Sequence, residues 1–101
     1  MTLTKERILQ KLKENYSYLS SKYGLKRIGI FGSYAKGTQI ETSDIDIIVE
    51  FNRPIGLEFV EFTEYLENLL EKKIDVLTNA GVEQIRNSKM IQQIKETIIY
   101  V

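Results

Sequence analysis

Two carboxylates stand one residue apart in the middle of the chain, in a stretch that is typical of a β-strand. Asp44 and Asp46 belong to the sequence DIDIIVEF, residues 44–51. Aspartate is uncommon in strands, because its short side chain favours turns and competes for backbone hydrogen bonds. Side chains two apart on a strand point to the same face, so the two carboxylates are expected side by side. Ile48 continues their face, which therefore becomes apolar one step further along.

A third carboxylate, Asp75, lies in KIDVLT, residues 73–78, which also has the pattern of a strand. If the two strands are neighbours, Asp75 can join Asp44 and Asp46. Three clustered carboxylates repel one another, and one of them stays protonated unless a counter-charge is present. A divalent cation supplies that charge, and Mg²⁺ prefers carboxylate and phosphate oxygens. The three aspartates are therefore candidate metal ligands.

The pair Gly32-Ser33 supplies the complementary feature, a candidate phosphate site. Gly32 ends a predicted strand and allows another group to approach the backbone closely. Ser33 then opens a helical turn whose free N–H groups and hydroxyl suit a phosphate, and Lys36 adds a positive charge one turn later. Each feature alone is explained by an ordinary turn or a solvated surface. Their combination in this order predicts a site for a metal–nucleotide complex.

Composition limits the chemistry that such a site can perform. The 101 residues include neither cysteine nor histidine, which excludes disulfides, thiolate nucleophiles and imidazole bases. Carboxylates, hydroxyls, amines and hard metal ions remain. The N-terminal sequence has no apolar signal core and no run long enough to span a membrane, so a cytoplasmic location is expected.

Charge is balanced overall but distributed unevenly. Fourteen basic residues match fourteen acidic ones, so no global field attracts the chain to nucleic acid. Acidic residues concentrate in 38–83, between basic segments 1–37 and 84–101. An acidic middle between basic ends suits a place where a cation and a polyanion meet, although solvated helix faces explain most of these charges.

The remaining sequence predicts a small scaffold around the site. A helix is expected between Thr4, a candidate N-cap, and Gly24, a candidate stop. It is followed by a strand ending at Gly32, a helical turn closed by Gly37, the strand 44–51, a helix over 57–72, the strand 73–78 and, from Val82 onward, a helix broken near 87–88. Apolar residues at helical spacing are predicted to face the core: Ile8, Leu9, Leu12, Tyr16, Leu19, Phe59, Phe62, Leu66, Leu69 and Leu70.

This order of elements predicts one domain over residues 1–101. Helices and strands alternate, which favours an α+β, two-layer α/β arrangement. We expect a small mixed sheet of about three to four strands covered by helices.

The motif GSYAKGTQIETSDIDIIVEF resembles the signature of the DNA-polymerase-β-like nucleotidyltransferases: Gly-Ser, ten residues, then Asp-x-Asp. In size and layout the chain is similar to the minimal nucleotidyltransferases (MNT), often the antitoxin partners of HEPN-domain toxins. The resemblance covers nearly the whole chain, including KKIDVLT and ETIIYV, and implies a polymerase-β palm-like fold. The family often has arginine at the positions of Tyr34 and Lys36, and only Lys36 keeps the charge.

The resemblance also implies roles for the candidate residues. Gly32, Ser33 and Lys36 would hold the phosphates of ATP. Asp44, Asp46 and Asp75 would hold two Mg²⁺ ions, with Asp75 helping to take the proton of the acceptor. The implied reaction is Mg²⁺-dependent transfer of AMP from ATP to a hydroxyl, a tyrosine of the HEPN toxin.

An alternative of a different class is a binding module that neutralises its partner by occlusion. In either case the partners expected are a protein and a nucleotide, with no direct binding of nucleic acid and no membrane. The absence of a basic stripe argues against a templated polymerase, and the short chain argues against a self-contained antibiotic-modifying enzyme.

Overall fold

Helices and strands alternate around one four-stranded sheet, and a computed structural model describes residues 3–84 and 88–101. The elements are α1 (Lys5–Tyr23), β1 (Leu25–Phe31), α2 (Gly32–Lys36), β2 (Ile45–Phe51), α3 (Glu58–Leu70), β3 (Ile74–Thr78), α4 (Asn79–Glu83), α5 (Ser88–Thr97) and β4 (Ile99–Tyr100). The strand order is β3-β2-β1-β4. β1 is antiparallel to both of its neighbours, whereas β2 and β3 are parallel. The predicted small mixed sheet with helices is confirmed.

The first helix begins and ends where its capping residues predict. The Thr4 side chain accepts a hydrogen bond from the backbone N–H of Arg7 at 3.2 Å, and Gly24 follows the last helical residue. An N-cap of this kind satisfies one of the backbone donors that a helix leaves unpaired. The cap therefore fixes the start of a helix that covers the sheet.

One face of the sheet packs against α1 and α3 and forms the main core. Along β2, every second residue is fully buried on this side: Ile45, Ile47 and Val49. The helices bury Ile8, Leu12, Leu19, Phe62, Leu66 and Leu70 against them. Leu9, Tyr16 and Leu69, predicted to face inward, are only partly buried. Phe59, also predicted as core, is half-buried and packs its ring 6.4 Å from those of Phe51 and Phe62.

The opposite face, on which the aspartates were predicted, is covered by a second and smaller apolar cluster. Ile48 of β2 is 1% exposed beneath Val82 of α4 and Ile94 of α5. The prediction that this face becomes apolar after Asp46 is therefore confirmed. The cluster covers only the middle of the face, so the carboxylate end stays open.

The last strand closes the sheet at the edge beyond β1. Residues Gly29 and Ile30 pair with Tyr100 and Ile99. A side-chain Cβ at Gly29 would lie 2.6 Å from the carbonyl oxygen of Ile99, so the close approach of β4 requires glycine at this position.

Several predicted boundaries differ from the structure. β2 begins at Ile45, so Asp44 precedes the strand rather than forming part of it. The second long helix is shorter than predicted, Glu58–Leu70, and β4 was not predicted as a separate element. α4 begins at Asn79, three residues before the predicted start at Val82; α5 begins at Ser88, and residue 87 of the predicted break at 87–88 lies outside the described residues. Within the described ranges, no helix is both long and apolar enough to cross a membrane.

Candidate active site

Strand pairing brings two of the three predicted carboxylates together. β2 and β3 are neighbours, which was the condition for Asp75 to join the other carboxylates, and their parallel register places Asp46 opposite Asp75. On the other side of β2, Asp46 is opposite Phe31, the last residue of β1. Residues opposite one another in neighbouring strands share a face of the sheet. Asp46 therefore lies in the middle of a row, between Phe31 and Asp75, at the edge of this face of the sheet. The row is directly below the turn into α2.

The turn into α2 is built around the Asp46 carboxylate. Gly32 has φ 71°, a left-handed conformation that a residue with a side chain adopts only with strain. A Cβ added to Gly32 would overlap Oδ2 of Asp46 and lie 3.1 Å from its Cγ. Glycine is required here for both conformation and space. The two halves of the sequence motif, Gly-Ser and Asp-x-Asp, thus meet at this contact.

The three aspartates interact electrostatically, and no ion pair within 3–84 and 88–101 compensates their charge. Burial raises the pKa of Asp46 above its usual range, and the neighbouring charges of Asp75 and Asp44 raise it further. Asp44 and Asp75 are exposed, while Asp46 is half-buried. None of the described residues donates a hydrogen bond to any of these carboxylates. The cluster therefore favours a bound cation or proton.

The donor chemistry of this cluster fits a hard divalent cation. Carboxylate oxygens are the ligands that Mg²⁺ prefers. The side chains do not yet form a closed set, since no group of three or more acidic side chains in 3–84 and 88–101 is close enough to hold one ion. Asp46 and Asp75 stand on paired strands, whereas Asp44 stands in the loop that precedes β2.

The residues predicted at the phosphates lie at different distances from this cluster. Ser33 follows Gly32 in the first turn of α2 and is half-buried. Its carbonyl oxygen accepts hydrogen bonds from the N–H groups of Gly37 and Thr38, the second at 2.9 Å. Lys36 is exposed at the far end of this short helix, and no contact in the described part of the chain joins it to the carboxylates.

Tyr34, the position at which the sequence resemblance leads one to expect arginine, does not face the carboxylates. It is 3% exposed and belongs to the main core on the α1 and α3 side of the sheet. The side chain at position 34 therefore packs α2 against the core. It brings no charge to the carboxylate cluster.

A second polar group on the same face was not predicted. At the other end of β2, Glu50 accepts hydrogen bonds from the Arg27 guanidinium at 2.9 and 3.0 Å and from Asn79 Nδ2 at 2.8 Å. The Arg27 hydrogen bonds lower the pKa of Glu50, and Lys26, 3.4 Å away, lowers it further. Unlike Asp46, this carboxylate has charged partners, and the cross-strand register that pairs it with Arg27 is not evident from the sequence.

The loop before Asp44 is held by a residue that sequence reasoning also missed. The Lys72 ammonium donates a hydrogen bond of 2.7 Å to the carbonyl oxygen of Glu41. A lysine ahead of a strand carries no recognisable sequence signal, because its contact depends on how two distant loops meet.

Residues 5–101 match the nucleotidyltransferase domain family. A Methanocaldococcus jannaschii relative that carries a protein adenylyltransferase name is 43% identical over 101 residues, covering 97% of this chain and 98% of its own. The protein adenylyltransferase MntA of Thermococcus cleftensis is 35% identical over 100 residues, covering 98% and 97%.

Solved structures share the architecture. One described as a minimal nucleotidyltransferase superimposes with a TM-score of 0.72 at 26% identity, over 96% of this chain and 95% of its own. A toxin–antitoxin crystal structure with AMP-PNP gives 0.62 at 25% identity, over 97% and 72%. A complex of a Shewanella oneidensis HEPN toxin, tri-AMPylated, with its MNT antitoxin shares the fold at 0.53 and 21% identity, over 95% and 66%.

The matched sequence spans nearly the whole chain, and its Gly-Ser and Asp-x-Asp halves meet at the contact between Gly32 and Asp46. The chain therefore belongs to the nucleotidyltransferase-domain family and, within it, to the minimal nucleotidyltransferases.

Proposed function

We propose that this nucleotidyltransferase transfers AMP from ATP to a hydroxyl of a partner protein. The observation that carries the proposal is the contact of Asp46 with Gly32, because it joins a carboxylate cluster to a turn suited to phosphate. The relatives named as protein adenylyltransferases and the similarity to a complex with an ATP analogue support it.

In the proposed complex, the triphosphate lies against the turn formed by Gly32 and Ser33. Backbone N–H groups in the first turn of a helix have no intrahelical partner and can donate to phosphate oxygens. The Ser33 hydroxyl adds one donor, and Lys36 contributes charge from the far end of α2. A Cβ at Gly32 would overlap Asp46, so a side chain is excluded at this position. The backbone of the turn is therefore open to the phosphates.

Asp44, Asp46 and Asp75 would hold Mg²⁺, with two ions as the expected number. Bound Mg²⁺ would supply positive charge to the reacting phosphate and lower the pKa of the acceptor hydroxyl. The protein's own contribution is to keep Asp46 and Asp75 opposite each other on paired strands. The pKa of Asp46 is raised first by burial and then by the charges of Asp75 and Asp44, and a bound cation would offset these effects.

The transfer itself is a displacement at the α-phosphorus. The acceptor oxygen forms a bond to that phosphorus as the bond to the β-phosphate bridging oxygen breaks, and pyrophosphate leaves. The proton of the acceptor passes to a carboxylate, for which we assign Asp75. Asp75 is the most exposed of the paired carboxylates and is the one that an incoming protein can reach.

The proposed acceptor is a tyrosine hydroxyl of a cognate HEPN toxin, so that AMPylation neutralises the toxin and this chain acts as its antitoxin. The family resemblance and the likeness to a toxin–antitoxin complex support this partner. We expect the pair to act in the cytoplasm as a hetero-oligomer, without direct binding of nucleic acid and without a membrane.

The test combines purified chain, α-labelled ATP, Mg²⁺ and the co-purifying partner. Label on the partner, released pyrophosphate in equal amount and dependence on Mg²⁺ are the expected results. Asp46→Asn serves as the inactive control and Lys13→Met as the matched surface control, since Lys13 is exposed on α1. Mass spectrometry of the labelled partner then identifies the acceptor residue.

A second candidate is neutralisation by occlusion, without transfer. It is favoured by one observation, that the described acidic side chains do not form a closed metal-binding group. The same experiment separates the two functions. Inhibition of the partner without label supports occlusion, and inhibition that requires both ATP and Asp46 supports transfer.

A further inference from the structure

Asp44 is the carboxylate that reaches the site from a loop, so something must hold that loop in place. The segment from Gly37 to Ser43 connects α2 to β2. It contains a tight turn in which the N–H of Ser43 donates to the carbonyl oxygen of Ile40 and the N–H of Ile40 donates to the Ser43 hydroxyl, each at 3.0 Å. The turn is therefore a local unit closed by its own hydrogen bonds.

Little apolar packing supports this turn. A cavity of about 730 Å³ lies beside it, lined in part by Ile40, Glu41 and Lys72. Ile40 is 67% exposed. Gln39 Oε1 is buried with no hydrogen-bond partner among the described residues, so this side chain does not anchor the loop either. Polar contacts with the rest of the protein have to fix its position.

The turn between α3 and β3 provides those contacts on both sides of Asp44. Three residues before Asp44, the carbonyl oxygen of Glu41 accepts the 2.7 Å hydrogen bond from the Lys72 ammonium. One residue after it, the N–H of Ile45 donates to the carbonyl oxygen of Lys73 at 3.2 Å. The same turn leads directly into β3, which carries Asp75. One short segment thus connects to both carboxylates that flank Asp46.

The backbone is distorted where it directs Lys72 toward the loop. Glu71 has φ 54° and is the only residue other than glycine with positive φ in 3–84 and 88–101. Behind it, the N–H groups of Glu71 and Lys72 both donate to the carbonyl oxygen of Glu67. A left-handed residue costs free energy that the surrounding contacts must offset. The turn is therefore held in the one conformation that presents Lys72 to Glu41.

We propose that Lys72 is a positioning residue for the metal site: its ammonium restrains the loop that carries Asp44 beside the paired Asp46 and Asp75. This inference rests on the proposed nucleotidyl transfer. Lys72 touches neither phosphate nor metal in this assignment and acts only through the Glu41 carbonyl. Its loss should weaken the binding of Mg²⁺ with ATP while leaving the fold and the strand-borne carboxylates intact.

The chain provides a matched control next to Lys72. Lys73 has the same side chain and is exposed, and its ammonium has no partner within the described parts of the chain. Its hydrogen bond to Ile45 uses a backbone carbonyl, which a substitution preserves. Lys72→Met and Lys73→Met therefore remove the same charge from adjacent positions, and Lys72→Arg restores a cationic donor.

Two measurements on the isolated protein need neither partner nor catalysis. Amide hydrogen exchange at Ser43 and Ile45 reports how firmly the loop is held. Titration with Mg²⁺ in the presence of a non-hydrolysable ATP analogue, followed by the amide shifts of Asp44 and Asp46, gives the affinity. Substitution of a group that orients a metal ligand lowers metal affinity by about 10- to 100-fold. We expect at least a tenfold loss and faster exchange for Lys72→Met.

Lys73→Met should match the wild type in both measurements, Lys72→Arg should recover most of the affinity, and melting temperatures should agree among all four proteins. In the transfer assay, Lys72→Met should require about tenfold more Mg²⁺ for half-maximal rate, with a near-normal rate at saturation.

Equal affinities for Lys72→Met and Lys73→Met would overturn the assignment, as would a loss of affinity without faster exchange at Ser43. Failure of the proposed function is a distinct outcome, in which Mg²⁺ and nucleotide bind to the wild type but no label reaches the partner. Absence of Mg²⁺ binding by the wild type would overturn both.

Discussion

The seven residues of β2 alternate between two faces of the sheet that have opposite properties. Toward α1 and α3, Ile45, Ile47 and Val49 are fully buried in the main core. On the other side, Asp46 is a carboxylate whose pKa is raised by burial and by the charges of Asp75 and Asp44. Ile48 is an apolar contact, and Glu50 is a carboxylate paired with arginine. The alternation of a strand thus separates the residues that stabilise the fold from those that can react. Stability on one face permits unfavourable charge on the other.

The largest expected effect separates the two faces most clearly. Asp46→Asn keeps the volume of the side chain but removes its charge, so transfer should fall by about a thousandfold or more, on the order of 4 kcal/mol of transition-state stabilisation. The metal-free variant should be at least as stable as the wild type, because an uncompensated charge is lost. Single-turnover kinetics and thermal melting test both parts, and near-normal turnover would contradict the assignment of Asp46.

Its neighbour on the opposite face should show the reverse pattern. Ile47→Ala removes buried methyl groups and leaves a cavity, and should lower the free energy of unfolding by about 3 kcal/mol. Transfer per folded molecule should stay within about threefold of the wild type under conditions where the protein is folded. Urea denaturation and kinetics at low temperature provide the measurements. Loss of transfer in fully folded Ile47→Ala would show that the two faces are not separable.

Two glycines share a left-handed backbone conformation, but only one of them lies against Asp46. Comparing alanine substitutions at both therefore separates the effect of limited space from that of backbone strain. Gly32 and Gly37 have φ 71° and 77°, but a Cβ at Gly37 would have no neighbour within 4 Å. Either alanine substitution should cost about 1 kcal/mol of stability from backbone strain alone. Only Gly32→Ala should also displace Asp46 and lower transfer by more than tenfold.

Ser33→Ala should lower transfer less than Gly32→Ala, since it removes one hydroxyl donor, about 1 kcal/mol, and keeps the backbone N–H groups. Equal transfer by Gly32→Ala and Gly37→Ala would mean that the phosphates do not approach at this turn.

The smallest effect is a pH dependence of stability in the metal-free protein. The pKa of Asp46 is higher in the folded than in the unfolded state, so the folded protein binds more protons. The contribution of Asp46 to stability is fully present below its unfolded pKa and is lost as pH rises through the raised folded pKa.

Between about pH 4 and pH 7, the stability of the wild type should therefore decline relative to that of Asp46→Asn. Comparison with this variant cancels the opposite contribution of Glu50, whose pKa is lowered in both proteins. Parallel melting curves across this range would show that Asp46 is solvated, and addition of Mg²⁺ with ATP should reduce the difference.

The parts of the site that the sequence could predict are those governed by strand periodicity. Two adjacent Asp-containing strands can place their carboxylates on one face, and the observed register, with Asp46 opposite Asp75, does so. The apolar step at Ile48 was predictable for the same reason. Strand alternation is a local property, so it can be read from a few residues.

The parts that could not be predicted depend on contacts between distant segments. Whether Asp44 belongs to the strand or to the loop is decided where pairing begins, and β2 begins one residue later than the pattern suggested. The hydrogen bond of Lys72 to Glu41 joins two loops, and β4 is a strand only because β1 provides its partner. Two residues such as Ile99 and Tyr100 carry too little pattern to distinguish a strand from a helix end.

The pairing of β4 with Gly29 also has a consequence for the order of folding. The fully buried residues of the main core all precede the end of β3, whereas α4 and α5, which cover the aspartate face, follow it in the chain, and Ile99 of β4 adds only a partly buried contact to the core. Contacts between residues far apart in sequence carry the entropy cost of closing a long loop. A chain synthesised only as far as β3 therefore contains the buried residues of the main core but not the helices that cover its carboxylate face. Until β4 pairs with it, the edge of β1 at Gly29, which has no side chain, would leave its backbone N–H and C=O groups unpaired. Any other extended strand would then be able to pair with this edge.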